Sequence, residues 1–144
     1  EWGKVLHFGT HNAGRLALHI CKTMLTTMLE DNQAGFVKIK DLGIKLTEEI
    51  QSISRKNTKH KMVCQGVNSM FQIFFTDQKE ISNYRDFCRS VDRVKFRDFA
   101  LKLFDKGIYM NPSATLHSLS SIIHNEKDIE VTARAIAETL DEMP

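Results

Sequence analysis

Apolar residues recur at steps of three and four in the first part of the sequence, a period that predicts helices. The first stripe contains Leu16, Ile20, Met24 and Met28, and apolar positions beside it widen it. So broad an apolar surface predicts a helix that is buried on more than one side. Asn12 is its predicted N-cap, because a side-chain oxygen at that position can accept from free backbone amides.

Asp31-Asn32 interrupts this pattern, and a second helix is predicted after it. Lysines and glutamates occupy the outer side of this second helix, as on a solvated surface. Its apolar side is formed by Phe36, Ile39, Gly43, Leu46, Ile50 and Ile53.

The period then changes to that of a strand. From Val67 to Phe75 the residues alternate between two faces, with Phe71 and Ile73 on the same one, which predicts a single strand. Apolar residues on its other face indicate that this side is partly covered too. The next stretch, Thr76 to Val91, is polar and weakly periodic, and it is predicted to be a long surface loop.

Helix signals return in the last third of the chain. Asp92 is the predicted cap of a third helix, and Gly107 is predicted to end it. Residues 108–110 and 116–123 are predicted strands. Asn125, followed three residues later by an acidic residue, predicts the start of the last helix.

This order of elements predicts an α+β fold, with a small, largely antiparallel sheet and helices packed on one face. An extended N-terminal arm, residues 1–12, is predicted to precede a single domain, residues 13–144. The length of 144 residues and a hydrophobic content of 42%, with nine Phe, support a packed core.

Charge and cysteine content exclude several classes of protein. A formal net charge of +2 gives no electrostatic reason to expect a nucleic-acid partner. No apolar run reaches the roughly 20 residues of a membrane-spanning helix, so no membrane partner is expected. Three widely spaced cysteines favour a reducing compartment, and a cytoplasmic location is predicted.

Candidate reactive groups are few. His7 and His11 lie four residues apart, but the arm around them does not look helical, so no metal site is predicted. His60 lies in a basic turn, where packing and solvent explain it. Cys21 and Cys88 are interpreted as buried or half-buried thiols, because a nucleophilic thiol needs an adjacent base.

The segment around Gly9-Thr10 is more suggestive, because it leads from the arm into the first helix. A threonine hydroxyl and free amides near a helix start can hold a phosphate, where the helix dipole favours negative charge. An ordinary helix cap explains the same residues, and the segment alone leaves both interpretations open.

Several segments in the same order resemble the C-terminal part of class III pyridoxal-phosphate-dependent aminotransferases. They are Gly9-Thr10 before a helix, residues 66–76, residues 99–113 and residues 124–129. The resemblance spans nearly the whole chain, and within the family it is strongest to an aminomutase.

The resemblance implies the C-terminal small domain of a fold-type I enzyme that moves an amino group on an amino acid or amino-aldehyde, with small-molecule amino donors and acceptors. It implies a large pyridoxal-phosphate-binding domain in the same enzyme and a homodimer with active sites at the subunit interface. Gly9 and Thr10 then contact the phosphate of the neighbouring subunit's cofactor.

The same resemblance implies what this chain lacks. In the family the Schiff-base lysine and the aspartate at the pyridinium nitrogen precede the Gly-Thr segment. We therefore expect a piece of a longer enzyme, with no catalytic residue, no cofactor and no turnover of its own.

Arg15 stands where the family often has proline, and it is a weak candidate for binding a substrate carboxylate. Leu116 stands where the aminomutase has a glutamate. The resemblance therefore does not decide between aminomutase and transaminase chemistry.

A different class of function is also compatible with the sequence. The same fold could serve as a non-catalytic domain for dimerisation or protein interaction, with Trp2, Val5, Leu6 and Phe8 of the arm contacting a partner.

Overall fold

The structure, a computed structural model, describes residues 14–144. The predicted arm, with Gly9, Thr10 and the predicted cap Asn12, lies outside the described residues. Contacts between Cα atoms divide the chain into two units, Glu1–Phe36 and Val37–Pro144. Each unit is described by itself.

The first helix, α1 (Arg15–Lys56), loses helical geometry at the predicted interruption. Asp31, Asn32 and Gln33 have φ values of 48°, 56° and 66°, a left-handed region that Asp and Asn tolerate better than most residues. Before the interruption, Leu16 and Met24 are 74% and 60% exposed. The predicted burial of this stripe is therefore wrong for Leu16, Ile20 and Met24, whereas Met28 is buried.

The second unit begins with the rest of α1, residues 37–56, which buries Leu42, Leu46 and Ile50. A hairpin follows, formed by β1 (Met62–Val67) and β2 (Met70–Phe75) in antiparallel register. The single strand predicted from Val67 to Phe75 is thus wrong at its first residues. Asn68 turns the chain with a φ of 52°, a conformation that asparagine adopts more readily than most side chains.

A third, two-residue strand, β3 (Ser118–Leu119), pairs antiparallel with β2 and completes the sheet in the order β1-β2-β3. Phe71, Ile73 and Phe75 project from one face of β2 and are each at most 3% exposed. They belong to the hydrophobic core that residues of α1 and the later helices complete. The predicted fold class, α+β with a small antiparallel sheet, is confirmed.

A short helix, α2 (Tyr84–Ser90), interrupts the stretch predicted to be a loop. Asn83 caps it by accepting from the amides of Arg85 and Asp86. Phe87 of this helix packs edge-on against Phe74, at 6.0 Å between ring centroids. Phe74 lies on the sheet face opposite the core, so the prediction that this face is partly covered is confirmed.

The third predicted helix is α3 (Arg93–Asp105), and its predicted signals are confirmed. The Asp92 carboxylate accepts from the Lys95 amide at 2.9 Å. Gly107 follows the helix with a φ of 80°, which glycine adopts at the least steric cost.

The last helix, α4 (Glu126–Glu142), begins at the predicted Asn125 with a reciprocal capping box. The predicted strand at residues 108–110 is wrong, because these residues form an irregular segment. Of the strand predicted at residues 116–123, only β3 forms.

Replacing Asn125 with alanine is expected to lower the free energy of unfolding by about 1 kcal/mol. Its Oδ1 accepts from the Lys127 amide at 2.9 Å, and its own amide donates to Asp128 at 2.8 Å. Urea unfolding monitored by circular dichroism measures the loss. Asn125→Asp keeps the acceptor and is the control. An alanine variant as stable as the wild type would contradict the assigned cap.

Candidate functional site

Of the site residues predicted from the sequence, Arg15 is the one that lies within the described residues. Gly9 and Thr10 lie outside them. Arg15 is the first residue of α1 and is exposed. Leu116 lies in a turn of the other unit and is 48% exposed. The predicted contact of Gly9 and Thr10 with a phosphate therefore stays a prediction.

The Pro-Ser segment that carries part of the family resemblance forms an ordered turn. The Ser113 amide donates to the Asn111 side chain at 3.0 Å, and the Leu116 amide donates to the Ser113 carbonyl at 3.0 Å. The hydroxyls of Ser113 and Thr115 lie 2.7 Å apart. These bonds fix the backbone of the turn before it reaches β3.

Gln72 joins this turn to the sheet. Its Nε2 donates to the carbonyls of Ile73 and Ala114, both at 3.3 Å. Both neighbours are acceptors, so the amide nitrogen must face them, which leaves Oε1 without a partner. Gln72 is 7% exposed, so this unpaired oxygen carries a desolvation cost.

A groove of about 430 Å³ opens beside Gln72, and we call it the aromatic groove. Phe74 and Phe87 line it, and Tyr84 stacks on Phe87 with 5.9 Å between ring centroids. Thr115 and His117 line its polar side. The arrangement offers an aromatic wall and a few polar groups, and it contains no paired acid and base.

The cysteines do not provide a nucleophile in the second unit's core. Burial raises the pKa of the Cys64 thiol to about 12, so the reactive thiolate is scarce at neutral pH. Cys21 and Cys88 are both exposed, and their predicted burial is therefore wrong. Both lie in helices, Cys21 in α1 and Cys88 in α2, on sides that no other described element covers.

Neither a metal site nor a membrane span is formed by residues 14–144. No three His, Cys, Asp or Glu side chains converge there as metal ligands would. No helix in the same range combines the length and the apolar character needed to cross a bilayer.

The lysines of residues 14–144 are all exposed or half-buried. A lysine that bonds covalently to a carbonyl cofactor is activated by desolvation or by a neighbouring cation in an enclosed site. None of the lysines in residues 14–144 lies in such an enclosed site, so none of them is suited to bond to the carbonyl group of a cofactor.

His60 is a buried ionisable side chain in the second unit. The sequence leaves packing and solvent as explanations for it, and in the structure it is packed: His60 is 1% exposed, with no hydrogen-bond partner for either ring nitrogen. Burial is the main cause that lowers its pKa, and the charges of Lys95 and Lys59 lower it further. The carbonyls of Met143 and Leu140 act in the opposite direction.

The free energy of unfolding is expected to fall as the pH is lowered from 7.5 through 6.5. In the unfolded chain His60 takes up a proton near pH 6.5, whereas the folded chain resists it down to a lower pH. The stabilisation that the neutral His60 contributes is therefore present above pH 6.5 and is lost as the pH falls below it. The free energy of unfolding changes by at most about 1.4 kcal/mol per pH unit through this group. Urea unfolding at three pH values measures the slope.

His60→Gln is expected to flatten this pH dependence, because glutamine does not titrate. His117→Gln removes an exposed histidine and is the matched control, with a slope like that of the wild type. If His60→Gln and the wild type show parallel slopes, His60 is not the titrating group.

The aromatic groove was missed by the sequence analysis because α2 was assigned to a loop. A signal was available: Asn83 is followed three residues later by Asp86, the same spacing that identified α4 at Asn125. No sequence signal indicated that Gln72 joins the sheet to the Pro-Ser turn, because this hydrogen bond depends on the Ala114 carbonyl, 42 residues away in the chain.

Comparison with known proteins identifies relatives of this chain. It is 34% identical over 108 residues to glutamate-1-semialdehyde 2,1-aminomutase of Clostridium kluyveri, covering 75% of this chain and 25% of that protein. It is 31% identical over 139 residues to an enzyme of the same name from Thermus thermophilus, covering 96% and 31%. No protein-family model matches the chain.

Solved structures share its fold. A β-phenylalanine aminotransferase from Variovorax paradoxus superposes with a TM-score of 0.77 at 20% identity, over 97% of this chain and 31% of that one. A transaminase with pyridoxal phosphate bound gives 0.71 at 19% identity, over 96% and 30%. The chain thus spans about 30% of the length of the proteins that it matches.

The two comparisons agree on one class of protein. The sequence matches aminomutases over nearly the whole chain, and the structure matches transaminases over a similar range. The resemblance predicted from the sequence is therefore confirmed: the chain is similar to glutamate-1-semialdehyde 2,1-aminomutases over 96% of its length and shares the fold of solved transaminases.

Proposed function

We propose that the chain serves as the C-terminal small domain of a class III pyridoxal-phosphate-dependent aminotransferase or aminomutase. The observation that carries this proposal is the 31% identity to the Thermus thermophilus aminomutase over 139 residues. The superposition with a β-phenylalanine aminotransferase at a TM-score of 0.77 supports the same fold. A larger domain, of the kind that makes up the rest of those relatives, completes the enzyme in this proposal.

The complete enzyme would move an amino group on an amino acid or amino-aldehyde. Pyridoxal phosphate supplies a ring that acts as an electron sink. The described residues of this chain would have a different task, which is to cover the site and exclude water. The enzyme is proposed to act in the cytoplasm, which the three free cysteines of the chain favour.

Thr10 is the residue that we propose contacts the cofactor. In a homodimer, its hydroxyl and the backbone of Gly9 would donate to the phosphate held by the neighbouring subunit. The support is the order of sequence motifs, in which Gly9-Thr10 precedes a helix as it does in the family. The chain alone would then have no turnover.

Replacing Thr10 with alanine is expected to weaken cofactor binding about tenfold or more, because hydrogen bonds to charged groups contribute roughly 1.5–3 kcal/mol. The test uses a hybrid enzyme in which this chain replaces the matched segment of the Thermus thermophilus aminomutase. The cofactor dissociation constant is measured by absorbance after dialysis. Thr10→Ser keeps the hydroxyl and is expected to bind as the wild type does.

Unchanged cofactor affinity in the Thr10→Ala hybrid would remove this site assignment. A hybrid that folds but neither binds cofactor nor transfers amino groups would contradict the proposed function itself.

A non-catalytic dimerisation or interaction domain is the second candidate function. The observation that favours it is the exposed apolar stripe on α1, where Leu16, Ile20 and Met24 are each more than half exposed. If the chain is such a domain, it would bind a partner protein, but the hybrid enzyme that contains it would not bind the cofactor.

A further inference from the structure

An open polar hollow of about 310 Å³ lies where the turn after α1 meets the end of β2 and the start of α3. Its volume is at the lower end of the range for small-molecule pockets, about 300–1,000 Å³. Three lysines line it, Lys59, Lys61 and Lys95, and we call it the lysine hollow. It concentrates positive charge in a chain whose formal net charge is only +2.

Two carboxylates also line the lysine hollow, and both already have partners. Asp77 lies 2.9 Å from the Lys61 ammonium group. Asp92 accepts from the Lys95 backbone amide at 2.9 Å, as the cap of α3. Three lysines against two aspartates leave one positive charge in excess in the hollow.

Lys59 and Lys95 form no salt bridge within residues 14–144. The Lys59 ammonium group donates to the Met143 carbonyl. The Lys95 ammonium group lies over the Phe75 ring, 5.7 Å from its centroid. A carbonyl and the face of a ring attract a cation but do not neutralise its charge. Both ammonium groups therefore keep a positive charge that no described anion offsets.

The pKa of the neighbouring His60 reflects the same excess of charge. After burial, the charges of Lys95 and Lys59 are what lower it, and no carboxylate of the described residues acts in the opposite direction. Positive charges near a buried imidazole disfavour its protonation. An anion between the two lysines would offset both charges and would raise the pKa of His60.

Hydroxyl groups complete the lining of the hollow, one each from Thr58, Thr76 and Ser90. The Thr76 oxygen accepts from the Gln78 amide at 3.2 Å, so its own proton can be donated to a further acceptor. The first turn of α3 also borders the hollow, and the amide end of a helix favours negative charge. Ammonium groups, hydroxyl protons and helix starts are donors by which proteins bind phosphate.

We propose that the lysine hollow binds a phosphate group, with Lys59 and Lys95 as its cationic ligands and the hydroxyls of Thr58 and Thr76 as further donors. A phosphate ion, or the terminal phosphate of a small ester, carries the charge that the hollow lacks and has several acceptor oxygens for these donors. The site uses neither Gly9 nor Thr10, and it does not depend on the proposed function.

The test measures the binding of inorganic phosphate to the chain by isothermal titration calorimetry, against sodium chloride at equal ionic strength. Saturable binding at one site is expected. Lys59→Gln and Lys95→Gln are each expected to weaken it about fivefold, because each removes a charged donor. Lys127→Gln removes an exposed lysine of α4 that does not line the hollow, and it is the matched control, with the affinity of the wild type.

NMR of the imidazole ring of His60 provides a second readout on the unaltered chain. The pKa of His60 is expected to be higher in phosphate than in chloride at equal ionic strength, because a bound anion favours the protonated ring. His117 is exposed and does not line the hollow. Its signals are expected to be the same in the two salts at every pH.

Glycerol 3-phosphate is titrated in parallel to identify the source of the phosphate group. Tighter binding of this ester than of inorganic phosphate assigns the hollow to a phosphorylated small molecule, and the reverse order assigns it to the free ion.

Absence of saturable phosphate binding overturns the proposal, and so does equal affinity in Lys59→Gln, Lys95→Gln and Lys127→Gln. An identical pKa of His60 in the two salts overturns it as well, even if one of the variants fails to fold. None of these results depends on whether the hybrid enzyme binds its cofactor, so the proposed function is tested separately.

Discussion

Replacing Phe99 with alanine is expected to lower the free energy of unfolding by about 3–5 kcal/mol. The side chain is 0% exposed and packs edge-on against Phe75, with 5.3 Å between ring centroids. It also contacts Phe96 of the same helix at 6.4 Å. Truncation removes these contacts and leaves a cavity that the sheet and α3 cannot close. Urea unfolding, followed by circular dichroism, measures the change.

Phe104→Ala is the matched control for this experiment. Phe104 lies further along α3, is 62% exposed and contacts Tyr109 at the surface. Its replacement is expected to cost less than about 1 kcal/mol. Similar losses for Phe99→Ala and Phe104→Ala would mean that the sheet and α3 do not share the described core.

Replacing Gly43 with alanine is expected to destabilise the protein by about 1–3 kcal/mol. At an ordinary position within a helix, the same change would stabilise by roughly 0.5–1 kcal/mol. A Cβ at Gly43 would meet the backbone of the hairpin turn, with 2.5 Å to the Ser69 Cα and a still closer contact with the Asn68 carbonyl. Backbone atoms cannot yield as a side chain can, so the sign of the effect is reversed.

Gly35→Ala provides the comparison within the same helix. A Cβ there would lie 2.8 Å from the Met28 Sδ, which belongs to a flexible side chain, and 3.3 Å from the Met28 Cα. Gly35→Ala is therefore expected to cost less stability than Gly43→Ala in the same urea titration, because its contacts are longer. If Gly43→Ala cost no more than Gly35→Ala, α1 would not approach the hairpin as closely as described.

Local signals predicted the helices of this fold well. Asp92, Asn125 and Gly107 act through atoms within a few residues of themselves, so their roles could be read from neighbouring sequence. The interruption at Asp31-Asn32 was predicted for the same reason. The helix that was missed, α2, had such a signal at Asn83, but its seven residues are too few to show a clear period.

The sheet was predicted less well, because its strands depend on distant partners. Met62–Val67 contains Gln65 and Gly66, which weaken its alternation, and it becomes a strand only because β2 lies beside it. β3 consists of two residues that pair with Met70 and Phe71. Nothing in residues 116–123 indicates where such pairing begins or ends, so the prediction extended it too far.

The candidate site was predicted from resemblance more than from physical pattern. Gly9-Thr10 alone is compatible with a simple cap, and the order of the surrounding motifs is what points to a phosphate. The aromatic groove arises where β2, α2 and the turn at Ala114 meet. The burial of His60 likewise depends on the tertiary fold, and no short stretch of sequence encodes either feature.

The unequal burial of the three cysteines has a practical consequence. Cys21 and Cys88 are exposed and belong to different units, whereas Cys64 is 3% exposed and its thiol is hard to ionise. A maleimide dye would therefore attach at one position on each unit without any engineered residue. Energy transfer between the two dyes would report the distance between the units in solution, and any change in that distance when a partner binds.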